Sequence, residues 1–213
     1  HEWDAADKVP IDRNLQTHNE TSTLIPFIAP NALTLQPLID ATITEAETQQ
    51  IINHIREPRF GDVFHSDVGF VGPPPYGKQF ISNIDPPGAS DQKYADYYAA
   101  NQNRQRVIYT GTNDGIMHML YADGVDAGKE VWGFLPDEIL PSLKTIVLDN
   151  KHTYTVDGRL AAGDIWWNKA GGGTNQWGTL LVFGLRQGGN AYYAMDITQV
   201  DSTPNLLWKF IDP

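Results

Sequence analysis

The second half of the chain repeats itself, and this repeat restricts the possible folds more than any bulk property does. Val107-Ile-Tyr-Thr-Gly111 leads into Asn113-Asp-Gly115, then Ile116-Met-His-Met-Leu120, then Glu130-Val-Trp-Gly-Phe-Leu-Pro136. Leu180-Leu-Val-Phe-Gly184 leads through Gly188-Gly189 to Ala191-Tyr-Tyr-Ala-Met195, then Leu206-Leu-Trp-Lys-Phe-Ile211. Each copy is an apolar strand ending in Gly, a Gly turn, a second strand, a looser loop and a third strand carrying Trp-x-Phe. Gly111 and Gly184 lie 73 residues apart, Trp132 and Trp208 76. Self-similarity at a fixed period is the mark of a repeat architecture.

A propeller blade is a four-stranded antiparallel meander of about 40–50 residues, so this period predicts one blade plus an insertion, placed between Asp137 and about Thr153. Asn113-Asp114-Gly115 and Gly188-Gly189 supply the positive φ that a two-residue hairpin turn requires. Trp132 with Phe134, and Trp208 with Phe210, alternate with other residues and so share a face, suited to the wedge between neighbouring blades. The expected fold is therefore mainly β, a partial β-propeller of antiparallel four-stranded blades with short helical insertions. The two Trp-containing strands are expected to be buried at equivalent positions.

The first half is less regular. Residues 1–43 carry short β-like runs such as Leu24-Ile-Pro-Phe-Ile28, broken by Pro10, Pro26, Pro30 and Pro37, and read as edge strands and loop. Thr44-Glu-Ala-Glu47 has capping-box spacing, Ile51, Ile52 and Ile55 form an apolar face, and Pro58 stops the run, which predicts a helix over 45–56. Val68-Gly-Phe-Val71 reads as a strand before the proline-rich loop 72–88. Tyr94, Tyr97 and Tyr98 predict a second helix within 92–103. This divides the sequence into an irregular part with helical insertions, 1–105, and two recognisable blades, 106–213. A start at His1 and an end soon after a strand-like run read as an excerpt of a longer protein.

The formal charge is −11, from 15 Lys and Arg against 26 Asp and Glu, so the long-range field repels nucleic acid and anionic membrane surfaces. With no cysteine, disulfide frameworks, thiolate metal sites and cysteine nucleophiles are excluded. No apolar window is long enough for a transmembrane helix.

Few residues suggest chemistry. His65-Ser66-Asp67 are consecutive, so they cannot face one another as a catalytic triad does. Gly171-Gly-Gly-Thr174 lacks the Lys of a phosphate loop and reads as a hairpin tip. No pair among the six histidines has the spacing of a preorganised metal site; His118 shares a strand face with Ile116 and Leu120 and reads as a hydrogen-bonded core imidazole. Asp123, Asp126 and Glu130 are weak calcium candidates, oxygen ligands in a Gly-containing loop without EF-hand spacing. Trp132, Trp166, Trp167, Trp177 and Trp208 could form a sugar-stacking platform, although their strand placement favours packing between blades.

The ordered set Arg106-Val-Ile-Tyr-Thr-Gly-Thr-Asn-Asp-Gly-Ile-Met-His-Met-Leu120, Trp132-Gly-Phe-Leu-Pro136, Tyr154-Thr-Val-Asp-Gly158, Trp177-Gly-Thr179 and Gly188-Gly-Asn-Ala-Tyr-Tyr-Ala-Met-Asp-Ile197 resembles the blade motifs of PilY-type proteins of type IV pili. Phe60-Gly-Asp-Val-Phe-His-Ser66 extends the resemblance, which spans roughly 45–211. It implies a quinoprotein-like propeller with Gly111, Asn113, Asp114, Gly115, His118, Trp132, Phe134, Gly184, Gly189, Trp208 and Phe210 as structural blade-motif residues. It also implies a non-catalytic factor in pilus assembly and surface adhesion, exported to the cell surface or pilus tip, with pilins, minor pilins and external surfaces as partners. The family's N-terminal adhesive domain, its aspartate-rich calcium loop and its Arg-Gly-Asp tripeptide are absent from these residues. No cofactor is therefore expected here, and calcium would belong to a downstream segment. The alternatives are a quinoprotein-dehydrogenase-like enzyme, needing carboxylate and amide ligands for calcium, and a carbohydrate-binding lectin.

Overall fold

The computed structural model describes residues 4–19, 23–76, 84–89, 93–168, 174–200 and 202–213. Gly171, Gly172 and Gly173 of the expected hairpin tip, and 77–83 of the proline-rich loop, lie outside the described residues. Strands β1 (Leu15–His18), β2 (Leu24–Pro26), β3 (Gly69–Val71), β4 (Val107–Gly111), β5 (Met117–Tyr121) and β6 (Glu130–Phe134) form one sheet in the order β2-β1-β6-β5-β4-β3. Strands β7 (Leu160–Trp167), β8 (Gln176–Gly184), β9 (Ala191–Asp196) and β10 (Asn205–Ile211) form a second, antiparallel sheet in the order β10-β9-β8-β7.

Among the described residues, four α-helices accompany the sheets: α1 (Ala32–Ile39), α2 (Glu45–Ile55), α3 (Tyr94–Asn101) and α4 (Leu140–Val147). Helix α2 starts where the Thr44 hydroxyl accepts from the Glu47 N–H while the Glu47 carboxylate accepts from the Thr44 N–H. Its Thr48, Ile51, Ile52 and Ile55 face the core. Helix α1 forms although Pro37 lies inside it, because the helix ends at Ile39 and the missing N–H costs only one hydrogen bond near its terminus. The expected insertion after Asp137 folds as a 3-10 turn running into α4, which packs on α1 and α2.

This is a mixed α/β fold with two open sheets, and it replaces the expected mainly β partial propeller. The reason lies in strand β1. It pairs parallel to β6, with Leu15 opposite Gly133 and Gln16 opposite Phe134. The Gly133 N–H donates to the Asn14 carbonyl and the Leu135 N–H to that of Gln16. The edge of the first repeat is thus taken by residues far upstream, β2 extends it, and the sheet grows to six strands. Neither sheet closes.

The turns also differ from the expected two-residue form. The Thr112 N–H donates to the Ile116 carbonyl across three residues, Asn113, Asp114 and Gly115, with Gly115 at φ 96°. This is a type I turn followed by a left-handed residue. In the second unit the Leu185 N–H donates to the Ala191 carbonyl across five residues that include the 3-10 turn Arg186–Gly188.

The core runs from one sheet to the other. Trp132 packs beside Tyr109 within the first sheet, and Phe134 meets Phe183 edge-on with Tyr193 stacked on Phe183. The two Trp-x-Phe strands do not share an environment: Trp132 and Phe134 are 1% exposed, whereas Trp208 and Phe210 are 43% and 53% exposed. Strand β10 is the edge of its sheet, paired on one side only.

Candidate functional site

Three sequence-distant motifs converge on the Asn113-Asp114-Gly115 turn. The loop 60–66 crosses it, with the Phe60 ring tilted against His118 at 4.4 Å between ring centroids. Gly61 lies so close that an added Cβ would come within 2.9 Å of the Asp114 backbone nitrogen. The Asn113 amide donates to Asp62 at 2.7 Å, and the Asn113 N–H donates to the Asp62 carbonyl. The Gly111 N–H donates to the Ser66 hydroxyl at 2.9 Å. From the other side, the Thr155 N–H donates to the Asn113 side-chain oxygen and the Thr155 hydroxyl to the Thr112 carbonyl. A Cβ on Gly111 would meet the Val156 carbonyl oxygen at 2.3 Å, so only glycine permits this approach of the 155–157 segment to the end of β4.

Beneath the turn lies a buried charge network. Arg13 makes a two-pronged pair with Glu130, through Nε to Oε2 at 2.8 Å and Nη2 to Oε1 at 2.7 Å. His118 Nδ1 lies 2.6 Å from Glu130 Oε1, and its Nε2 lies 2.9 Å from the Thr112 hydroxyl, which donates in turn to Asp114. A carboxylate can only accept, and the Thr112 proton is committed to Asp114, so both imidazole nitrogens donate and His118 is cationic. Two cations and two carboxylates thus balance inside the protein. Arg13 also donates to the Ile55 and Glu57 carbonyls, which caps the C-terminal end of α2.

The pKa directions follow. Burial pushes the Glu130 carboxyl up, but the hydrogen bonds from Arg13 and His118 prevail and hold it at about 2. Burial lowers the His118 pKa, yet the contacts to Asp114 and Glu130 leave it raised above 6.5. Asp114 is lowered against its burial by His118 and Thr112. In the interior such a network is stable only when complete.

The catalytic and metal candidates are dispersed. His65 bonds to Asp157 at 2.6 Å, while the Ser66 hydroxyl holds the Gly111 N–H and the Asp67 carbonyl. Among the described residues the neighbouring Ser66 hydroxyl is thus engaged with backbone groups rather than with the imidazole. Glu130 points inward to Arg13, whereas Asp123 pairs with Arg106 and Gln105, and Asp126 with Lys129. Among the described residues no group of three or more His, Asp or Glu is placed to hold a metal ion. The tryptophans occupy separate places: Trp132 in the core, Trp166 opposite Trp177 on β7 and β8, and Trp208 on β10 at the other edge of that sheet. Trp177 also donates to Asp85 and packs edge-on against Tyr94.

Gly184 ends β8 where a Cβ would meet the Tyr192 ring at 2.8 Å, and Gly189 follows the 3-10 turn. Sequence reasoning missed Arg13 and Arg186, whose partners lie 117 and 29 positions away; Asp157 stood within the Tyr154–Gly158 motif, but its pairing with His65, 92 positions away, has no local signal.

The family model described as the PilY1 beta-propeller domain matches residues 60–212, the stretch that contains all three converging motifs. The chain belongs to the PilY1 family. Among curated relatives, a type IV pilus biogenesis factor PilY1 homolog of Xylella fastidiosa (strain Temecula1 / ATCC 700964) is 33% identical over 199 residues, covering 84% of this chain and 15% of that protein. Type IV pilus biogenesis factor PilY1 of Pseudomonas aeruginosa (strain UCBPP-PA14) is 28% identical over 159 residues, covering 73% of this chain and 12% of that protein. The crystal structure of the Pseudomonas aeruginosa PilY1 C-terminal domain matches with 27% identity and a TM-score of 0.48, over 67% of this chain and 25% of that one. Both curated relatives are described as type IV pilus biogenesis factors. Among the described residues no helix is long and apolar enough to cross a membrane. The chain spans about 15% or less of the length of these curated relatives.

Proposed function

We propose that the parent protein is exported and acts at type IV pili as a non-catalytic assembly and adhesion factor, and that this segment is a rigid platform whose loops contact pilins, minor pilins or external surfaces. Family membership over residues 60–212 carries this reading. The geometry supports it, because the converging motifs are spent on holding loops together. Gly111, Asn113 and His118 lock the 60–66 and 155–157 segments to the turn and leave no open reaction centre among themselves. Loops carry recognition when a packed scaffold fixes them, and the exposed segment around Asp123–Asp126, with fully exposed Val125, is one such loop. Deleting the gene in its native host should reduce surface pili and pilus-dependent motility or attachment. The full-length gene should restore them, and a version with Asn113→Ala and Gly115→Val, which undoes the loop lock, should not. Normal piliation and adhesion in the deletion strain would overturn the proposal.

A further inference from the structure

We propose that the cleft between the 65–67 segment, the Gly158-Arg159 bend and the β8–β9 turn is a binding site for a single carboxylate group. The cavity is about 320 Å³, of the size that admits a small group, and its lining includes His65, Arg159, Arg186 and Tyr192. Two of the protein's 15 basic residues thus share one small cavity against a net charge of −11.

The cleft is built and held. Asp157, wholly buried, accepts from the His65 N–H at 3.0 Å through Oδ1 and meets His65 Nδ1 at 2.6 Å through Oδ2. This fixes the ring, and Nε2 is left on the side away from Asp157. Phe64 packs edge-on against the same imidazole at 4.3 Å. Arg186 takes a positive φ of 54°, as only one other non-glycine among the described residues does. A strained backbone at a residue that lines a cavity points to a functional placement. Its guanidinium reaches Asp157 at 3.5 Å, and that of Arg159 meets Asp67 at 3.6 Å. These long contacts leave most guanidinium donors for a planar two-oxygen anion.

Charge and shape together select the ligand. The two guanidinium charges are offset by the Asp157 and Asp67 carboxylates, so the cleft has no surplus positive charge for a dianionic phosphate, and two planar guanidinium forks suit a singly charged, planar carboxylate. The Tyr192 ring supplies an apolar wall, so the carboxylate is best carried beside a hydrophobic group. The α-carboxylate at a polypeptide terminus and the carboxylate of an aspartate or glutamate offer the same chemistry.

The test is a titration of the isotope-labelled 213-residue protein followed by NMR at His65, the two arginine Nε–H groups and Tyr192. The probes are N-acetylphenylalanine, N-acetylaspartate α-amide, the uncharged N-acetylphenylalaninamide, and inorganic phosphate. Saturable shifts with the two carboxylates and none with the neutral amide are expected. The tighter of the two identifies the terminal or the side-group source. The double variant Arg159→Gln, Arg186→Gln should weaken binding by about tenfold or more, with unchanged spectra away from the cleft. Arg159 is largely exposed and Arg186 about half exposed, and the unchanged spectra away from the cleft check that the variant is folded. Equal shifts with the amide, unchanged affinity in the double variant, or binding of phosphate without the carboxylates would overturn the assignment.

Discussion

Replacing Glu130 with Gln removes one charge from a network that balances only when complete. The carboxylate is 2% exposed and accepts from Arg13 twice and from His118 once, so solvent does not screen it. Its pKa of about 2 in the folded protein, against 4.5 for an ordinary glutamate, corresponds to about 3 kcal/mol of stabilisation. That agrees with the ~3–5 kcal/mol typical of breaking a buried ion pair. Because the folded pKa is depressed, this stability is fully present above pH 4.5 and is lost as pH falls from 4.5 through about 2. His118 has the opposite sign: its raised pKa gives stability that is complete below 6.5 and lost as pH rises through the folded value. The difference between wild type and Glu130→Gln in urea unfolding should therefore be widest near pH 5–6, between these limits. It should narrow below pH 4.5 and again once His118 loses its proton. A difference under about 1 kcal/mol at pH 6, or one that stays constant on acidification, would show that Glu130 is not the anchor described.

Other substitutions probe the turn, the core and a helix cap. Gly115→Val should cost about 2 kcal/mol or more, measured by urea unfolding, since the backbone φ is 96° and the new Cβ would lie 2.9 Å from Ile139 Cδ1. Trp132→Ala should cost about 3–5 kcal/mol, whereas Trp208→Ala should cost about 1 kcal/mol or less. Acrylamide quenching of the intact protein should diminish on Trp208→Phe and be little changed on Trp132→Phe. Thr44→Ala should cost about 1 kcal/mol through loss of the α2 cap, seen as a lower urea midpoint with unchanged slope.

Local interactions were legible in the sequence, because their partners lie within a few residues. The capping box of Thr44 and Glu47 places the start of α2, and strand alternation and glycines place β4, β5, β6, β9 and β10 near their observed bounds and the end, though not the start, of β8. The ordered motifs from Phe60 onward were enough to indicate the family. Helix α1 was not legible, since Pro30 and Pro37 read as breakers, and α4 lay inside an insertion without a pattern.

The fold itself was decided by contacts at long range. Nothing near Leu15 indicates that it will run parallel to β6 or that Arg13 will reach Glu130. That pairing turns the expected blade into part of a six-stranded sheet and makes the architecture α/β. The same limit applies to the sites. His65 and Asp157 are separated by 92 residues, and Trp132 and Trp208 carry the same local motif in opposite environments. Local sequence specifies which backbone geometry a segment prefers; which face is buried, which charge is neutralised and which cleft opens depend on partners brought together only when the whole polypeptide packs.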